Sequence, residues 1–159
     1  MKTQCHNPYL PLWEHIPDGE PHVFEDRLYI FGSHDLENGN EFCEQDYVSW
    51  SAPLDDLSDW RYEGVIYRKD QDPYNVNVLP LYAPDVVQGR DGRYYLYYCI
   101  KFQDSINVAV CDTPAGQYEF YGRVQYKDGQ AMMENQTYDP SVICTEEGNF
   151  LYFGFAPCM

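Results

Sequence analysis

The sequence contains little positive charge. Its 159 residues include 10 Lys and Arg against 26 Asp and Glu, which gives a formal net charge of −16. Because nucleic-acid binding requires a basic surface that neutralises phosphates, this composition argues against a nucleic-acid partner. Anionic membrane surfaces and polyanionic substrates are disfavoured for the same reason, whereas a neutral ligand such as a sugar is compatible with the charge.

Long hydrophobic runs are also missing from the sequence. No stretch approaches the ~20 apolar residues of a membrane-spanning helix, so we predict no membrane segment. The first residues, MKTQCHNPYLPLWEHIPDG, lack the apolar core of a secretory signal. We therefore expect a cytoplasmic protein, or a secreted one if a leader precedes this sequence.

The cysteines show no CxxC spacing and no close pairs, which argues against a zinc site or a disulfide framework. Several of them fall in or beside apolar strand patterns, so we expect buried, reduced thiols. The six positions are Cys5, Cys43, Cys99, Cys111, Cys144 and Cys158.

Helical periodicity is scarce, and short apolar-aromatic runs recur between turn residues instead. Three segments share one layout, in which apolar residues, a short turn and an aromatic strand follow one another: HVFEDRLYIFGSHD (22–35), DVVQGRDGRYYLYYC (85–99) and DPSVICTEEGNFLYFGF (139–155). An internal repeat of roughly 55–65 residues is typical of a β-architecture built from successive blades.

The second half of each unit repeats too. Segments 46–68 and 106–127 both run from an apolar strand through Ala-Pro or Thr-Pro to an aromatic residue, a glycine and a closing strand. We therefore predict that each repeat unit forms four antiparallel strands, as in a propeller blade. The predicted strands are 22–25, 28–32, 46–51, 62–67, 85–88, 94–100, 106–111, 118–124, 141–145 and 149–155.

We predict an all-β fold with one complete blade at about 16–68, a second at about 82–127 and a partial third at about 137–159. Propellers typically need four to eight blades to close into a ring. We therefore expect residues 1–159 to be the N-terminal part of a longer propeller domain.

A carboxylate stands at the start of each unit, namely Asp18, Asp85 and Asp139. Since the first strand of every propeller blade lines the central axis, these three side chains are expected to converge. Convergent carboxylates are what the cleavage of a glycosidic bond requires. The alternative is that they are turn residues beside Gly or Pro at the starts of strands.

The three repeated segments, together with INVAVCDTPAGQYEFYG, resemble successive blades of glycoside hydrolase family 43. The resemblance runs from about Asn7 to the end of the sequence. It implies a five-bladed β-propeller that hydrolyses arabinose- or xylose-containing oligo- and polysaccharides with inversion. The partner it implies is therefore a saccharide substrate.

The resemblance also implies roles for individual residues. Asp18 in IPDGEP matches the family's general base, with Glu20 as a rival because Glu20-Pro21 resembles the more common Asp-Pro. Asp139 in YDPSV matches the carboxylate that orients the general acid and raises its pKa. The acid itself is a Glu from a later blade, and no segment of this sequence matches it.

Three further residues are candidates for the substrate site. Tyr82 lies three residues before Asp85 and offers an aromatic face to a sugar, Asp85 fits a site-lining or a structural role, and His34 fits a supporting role or a structural hydrogen bond. We predict no metal ligand and no cofactor in this sequence; calcium occurs in some relatives, with its expected ligand later in the chain. The alternative function is a non-catalytic carbohydrate-binding propeller, or an inactive fragment that lacks the acid.

Overall fold

A computed structural model describes residues 7–132 and 137–154 of the chain. Its strands are β1 Glu20–Phe24, β2 Arg27–Phe31, β3 Tyr47–Pro53, β4 Arg61–Tyr67, β5 Leu81–Gln88, β6 Tyr94–Ile100, β7 Ile106–Cys111, β8 Glu119–Arg123, β9 Ser141–Cys144 and β10 Asn149–Tyr152. A short 3₁₀ helix spans Lys69–Gln71. No helix within the described residues has the length and apolar character needed to span a membrane.

The strands form three antiparallel sheets in which sequence neighbours pair. The first sheet has the order β1-β2-β3-β4, the second β5-β6-β7-β8, and the third consists of β9 and β10. The all-β prediction is confirmed, and each predicted strand is present with bounds that differ by a few residues. The strand predicted to run to residue 155 ends at Tyr152, and residue 155 itself lies outside the described residues.

The largest difference in bounds is at β5, which begins at Leu81 rather than at residue 85. Pro84 has no N–H to donate in a strand ladder. In the structure the pairing register shifts between Tyr82 and Asp85, so Ala83 and Pro84 form a bulge that needs no ladder hydrogen bond from the proline.

The apolar core lies on both sides of the second sheet. Alternate residues of β6 (Tyr94, Leu96, Tyr98 and Ile100) belong to a large cluster with side chains of the first sheet. Tyr97 and Cys99, on the opposite face of β6, pack in a second cluster with Leu151 of the third sheet. This two-residue alternation is the reason that one strand serves two cores. The first strand of the second sheet, β5, contacts both β1 and β9.

Four of the six cysteines fall within the described residues, and all four are free thiols. Cys43 and Cys99 are buried, as expected, whereas Cys111 and Cys144 are only half-buried. Cys5 and Cys158 lie outside the described residues.

Candidate active site

A pocket of about 440 Å³ opens beside the first strands of the three sheets. Its wall includes residues just before β1, residues within β5 and residues just before β9. The lining residues are Asp18, Ser33, Phe42, Cys43, Tyr82, Ala83, Lys101, Phe102, Tyr138 and Asp139. Two of the three predicted carboxylates, Asp18 and Asp139, therefore meet in one pocket.

Asp18 is exposed to the pocket but held firmly in place by Ser33. Its Oδ1 accepts a hydrogen bond of 2.7 Å from the backbone N–H of Ser33, and its Oδ2 accepts one of 2.7 Å from the Ser33 hydroxyl. The Ser33 hydroxyl in turn accepts a bond of 2.8 Å from the backbone N–H of Ala83 in β5. One buried serine therefore fixes the carboxylate and ties its loop to the second sheet.

A close approach of two backbone segments makes this contact possible. A Cβ on Gly32 would lie 2.4 Å from Cγ2 of Ile16, 3.0 Å from Cα of Gly19 and 3.2 Å from the carbonyl oxygen of Asp18. Any side chain at residue 32 would thus push the loop that carries Asp18 away from Ser33.

Asp139 also lines the pocket, and its backbone has a strained conformation with φ of 52°. Burial raises the pKa of its carboxyl group, and the negative charge of Asp18 raises that pKa further. Desolvation and a like charge both disfavour ionisation, so the two carboxylates are electrostatically coupled.

The raised pKa of Asp139 predicts a stabilising substitution. Above its raised pKa, the Asp139 carboxylate ionises less readily in the folded protein than in the unfolded chain, so it destabilises the fold. Below the ordinary Asp pKa, both states bind the proton and the effect disappears. We expect Asp139→Asn in the full-length protein to raise the melting temperature at about pH 7, with the gain vanishing towards about pH 3. Asn also tolerates the positive φ.

The matched control is Asp59→Asn, since Asp59 is an exposed carboxylate of the first sheet's β3–β4 loop. Thermal unfolding of both variants over the same pH range measures the effect. A lower melting temperature for Asp139→Asn at neutral pH would contradict the coupling.

Backbone strain is concentrated around the pocket. Seven non-glycine residues in the described chain have positive φ, and four of them line the pocket: Cys43 at 59°, Ala83 at 33°, Phe102 at 63° and Asp139 at 52°. Such conformations cost free energy and persist only where surrounding contacts enforce them, which is typical of functional sites.

Asp85 is not among the residues that line this pocket, and its contacts favour the structural role over the site-lining one. It is 2% exposed. Its Oδ1 accepts a 2.6 Å hydrogen bond from Nε2 of His22 in β1 and one of 2.8 Å from the backbone N–H of Val86. Its Oδ2 accepts a 2.6 Å bond from the backbone N–H of Val142 in β9. Asp85 therefore joins the first strands of all three sheets, which is the structural alternative.

Comparison with known proteins identifies the family. The sequence model of Glycosyl hydrolases family 43 matches residues 19–156. The chain belongs to glycosyl hydrolase family 43. A xylosidase/arabinosidase of Thermoclostridium stercorarium is 58% identical over 99% of this chain and 34% of its own length. Xylosidase/arabinosidase 43A of Humicola insolens is 32% identical over 91% of this chain and 45% of its own length. The chain thus spans a third to a half of these curated relatives.

Solved structures of family 43 enzymes share the fold. A β-xylosidase/α-arabinofuranosidase from a compost microbial metagenome, solved with xylotriose in a calcium-free form, is 27% identical and superposes with a TM-score of 0.70 over 95% of this chain and 46% of its own. A family 43 enzyme of Xanthomonas citri, complexed with xylose, is 29% identical with a TM-score of 0.70 over 92% of this chain and 41% of its own. The predicted family and partial propeller fold are both confirmed.

The other candidate residues of this family 43 chain occupy different places. Tyr82 lines the pocket, with its ring centroid 6.5 Å from that of Tyr138. Glu20 is the exposed first residue of β1 and is not among the lining residues.

His34 is also outside the lining of the pocket. Its Nδ1 donates to the carbonyl oxygen of Asp46 at 2.8 Å, and its Nε2 lies 2.8 Å from Oε1 of the buried Glu14. The position of His34 favours the structural role.

No glutamate is among the lining residues that the structure describes, and the general acid stays a prediction for sequence outside residues 1–159. Within residues 7–132 and 137–154, no group of three or more His, Cys, Asp or Glu side chains is arranged to hold a metal ion. We therefore assign none of these residues to calcium.

Sequence reasoning missed several lining residues, including Ser33, Cys43 and Lys101. Ser33 belongs to the GSHD segment after β2, but nothing in the sequence shows that its hydroxyl donates a hydrogen bond to Asp18. Burial raises the pKa of the Cys43 thiol to about 11, with the charges of Asp18 and Asp35 also raising it and a hydrogen bond to Ser33 lowering it. The thiol is therefore neutral near physiological pH and is no nucleophile.

Proposed function

We propose that the full-length protein is an inverting glycosidase that acts on α-L-arabinofuranosyl or β-D-xylosyl linkages. The observation that carries the proposal is the pairing of Asp18 and Asp139 in one pocket of a family 43 fold, with Asp18 held by two hydrogen bonds from Ser33. The two curated relatives described above are xylosidases/arabinosidases, which supports this substrate class.

In the proposed reaction Asp18 acts as the general base. It accepts a proton from a water molecule as the water oxygen bonds to the anomeric carbon and the bond to the leaving oxygen breaks. The leaving oxygen takes its proton from a glutamic acid supplied by sequence beyond residue 159. An inverting reaction needs room for the water, so we expect the base and acid carboxyls to lie about 6.5–9.5 Å apart.

Asp139 orients that acid in the proposed reaction and keeps it protonated. A carboxylate close to a carboxylic acid disfavours the acid's ionisation, which raises the acid's pKa. Tyr82, which also lines the pocket, offers the sugar a ring face. Asp18, Asp139 and Tyr82 come from three different sheets or the loops that precede them, so the fold must be assembled before the site exists.

The test is to follow hydrolysis of aryl α-L-arabinofuranoside and aryl β-D-xyloside by the full-length protein, using proton NMR to identify the anomer formed first. We expect one of the two substrates to be cleaved with inversion. A first product of retained configuration would contradict the mechanism. Saccharide binding without any cleavage would favour the carbohydrate-binding alternative.

A further inference from the structure

The peptide unit that joins Tyr82 to Ala83 is hydrogen-bonded at both of its polar groups. Its carbonyl oxygen, which belongs to Tyr82, accepts a bond of 3.0 Å from the hydroxyl of Tyr47. Its N–H, which belongs to Ala83, donates a bond of 2.8 Å to the hydroxyl oxygen of Ser33. A single peptide therefore connects a tyrosine of β3 to the serine that binds Asp18.

The conformation of this peptide is unfavourable on its own. Ala83 has a φ of 33° and precedes Pro84, whereas a residue before proline favours an extended backbone. The pairing register of β5 shifts between Tyr82 and Asp85, so no strand partner holds Ala83 in place. Strain of this kind persists only where surrounding contacts enforce it, and the two hydrogen bonds to the peptide are such contacts.

Tyr47 is a fixed donor for the peptide. Its side chain is fully buried, and its ring packs against that of Tyr98 with the centroids 6.2 Å apart. Burial raises the pKa of Tyr47 well above its ordinary value, so the hydroxyl keeps its proton throughout the neutral range. Tyr47 is not among the residues that line the pocket. Any effect of its hydroxyl on the reaction must therefore pass through other residues.

Three hydrogen bonds thus form one chain that ends on the carboxylate of Asp18. The chain runs from the Tyr47 hydroxyl through the peptide to the Ser33 hydroxyl, and from there to Oδ2 of Asp18 at 2.7 Å. Hydrogen bonds in such a chain polarise one another, so each donor strengthens the next.

We propose that Tyr47 is a positioning residue for the reaction and that it acts on Asp18 through the peptide and Ser33. The proposal rests on the proposed function, in which Asp18 is the general base. Without the Tyr47 hydroxyl, the peptide relaxes towards an extended conformation and turns its N–H away from Ser33. The Ser33 hydroxyl then loses its fixed orientation, and the carboxylate is less well aimed at the water. A displacement of about 1 Å can cost about 10²-fold in rate, so a buried hydroxyl outside the pocket can control turnover.

The experiment uses Tyr47→Phe, Ser33→Ala and the double variant of the full-length protein. Tyr118→Phe is the matched control, because Tyr118 is a fully buried tyrosine of the same core whose hydroxyl also donates to a backbone carbonyl, that of Pro114, at 2.8 Å. Neither Tyr118 nor Pro114 is among the residues that line the pocket. The measurements are kcat on the aryl glycoside that the unmodified protein cleaves, the inhibition constant of the released sugar, and the melting temperature.

We expect Tyr47→Phe to lower kcat by about tenfold, the effect of one lost hydrogen bond, and Ser33→Ala by about a hundredfold. Because Tyr47 acts through Ser33, the double variant should lose no more than Ser33→Ala alone. The inhibition constant should stay within about twofold, since the Tyr82 ring keeps its contact with Tyr138. Tyr118→Phe should lower the melting temperature about as much as Tyr47→Phe does, with kcat within about twofold of the unmodified protein.

Independent losses that multiply to about a thousandfold in the double variant would overturn the proposal, because Tyr47 would then not act through Ser33. An unchanged kcat in Tyr47→Phe, or an equal fall of kcat in Tyr118→Phe, would overturn it too. A loss that appears in the inhibition constant rather than in kcat would assign the effect to sugar binding, against the proposal. If the unmodified protein cleaves neither aryl glycoside, the proposed function itself fails, whereas cleavage with an unaffected Tyr47→Phe removes only the role of Tyr47.

Discussion

Asp18→Asn in the full-length protein should lower kcat by about 10²–10⁴-fold, the range that removal of a general base typically costs. Asn keeps the size of the side chain and an oxygen that accepts the bond from the Ser33 N–H. Its NH₂ group can donate to the Ser33 hydroxyl, so this hydrogen bond is kept with its donor and acceptor exchanged. The geometry of the pocket is therefore preserved and the loss falls on proton removal from water.

Two comparisons make this result specific. Glu20→Gln is the matched variant, and we expect little change because Glu20 lies outside the pocket lining. Azide, a nucleophile that has no proton to lose, should partly restore turnover of Asp18→Asn and give the glycosyl azide. Full activity in Asp18→Asn, or its loss in Glu20→Gln instead, would remove Asp18 from the role of base.

The second large effect is on stability. Asp85→Ala should lower the free energy of unfolding of the full-length protein by about 3–5 kcal/mol, because each buried hydrogen-bond donor that is left without an acceptor costs about 1–3 kcal/mol. The substitution leaves Nε2 of His22 and the backbone N–H of Val142 without their acceptor at the junction of three sheets.

Asp91→Ala is the control for Asp85→Ala, because Asp91 is an exposed turn carboxylate paired with Arg93 and such surface pairs add little stability. Denaturant unfolding of both variants, alongside kcat/KM on the cleaved substrate, separates the two roles considered for Asp85. A variant that unfolds like the unmodified protein but binds substrate poorly would restore Asp85 to the substrate site.

The sequence predicts the sheets well because strand formation depends on local patterns. A short apolar-aromatic run such as residues 94–100, bounded by turn residues, is sufficient to place β6. The convergence of Asp18 and Asp139 follows from the repeat, since equivalent positions of successive blades meet at one axis. The start of β5 is missed because a bulge around Pro84 is a tertiary feature with no local signature.

The sequence does not reveal the direction in which each side chain points. Asp85 stands at the start of its repeat much as Asp139 does, yet its side chain contacts His22 and Val142 and does not line the pocket. His34 finds its partner in Glu14, twenty positions earlier in the chain. These choices depend on hydrogen bonds between distant segments, and a single sequence carries no measure of them.

The hydroxyl of Ser33 has a consequence for the engineering of this site. It bonds at once to the carboxylate of Asp18 and to the backbone of β5, so the position of Asp18 depends on the relative placement of two sheets. A substitution in the core between those sheets will therefore move the Asp18 carboxylate whenever it rotates one sheet against the other. In the proposed reaction, the rate of turnover would then depend on how the two sheets pack.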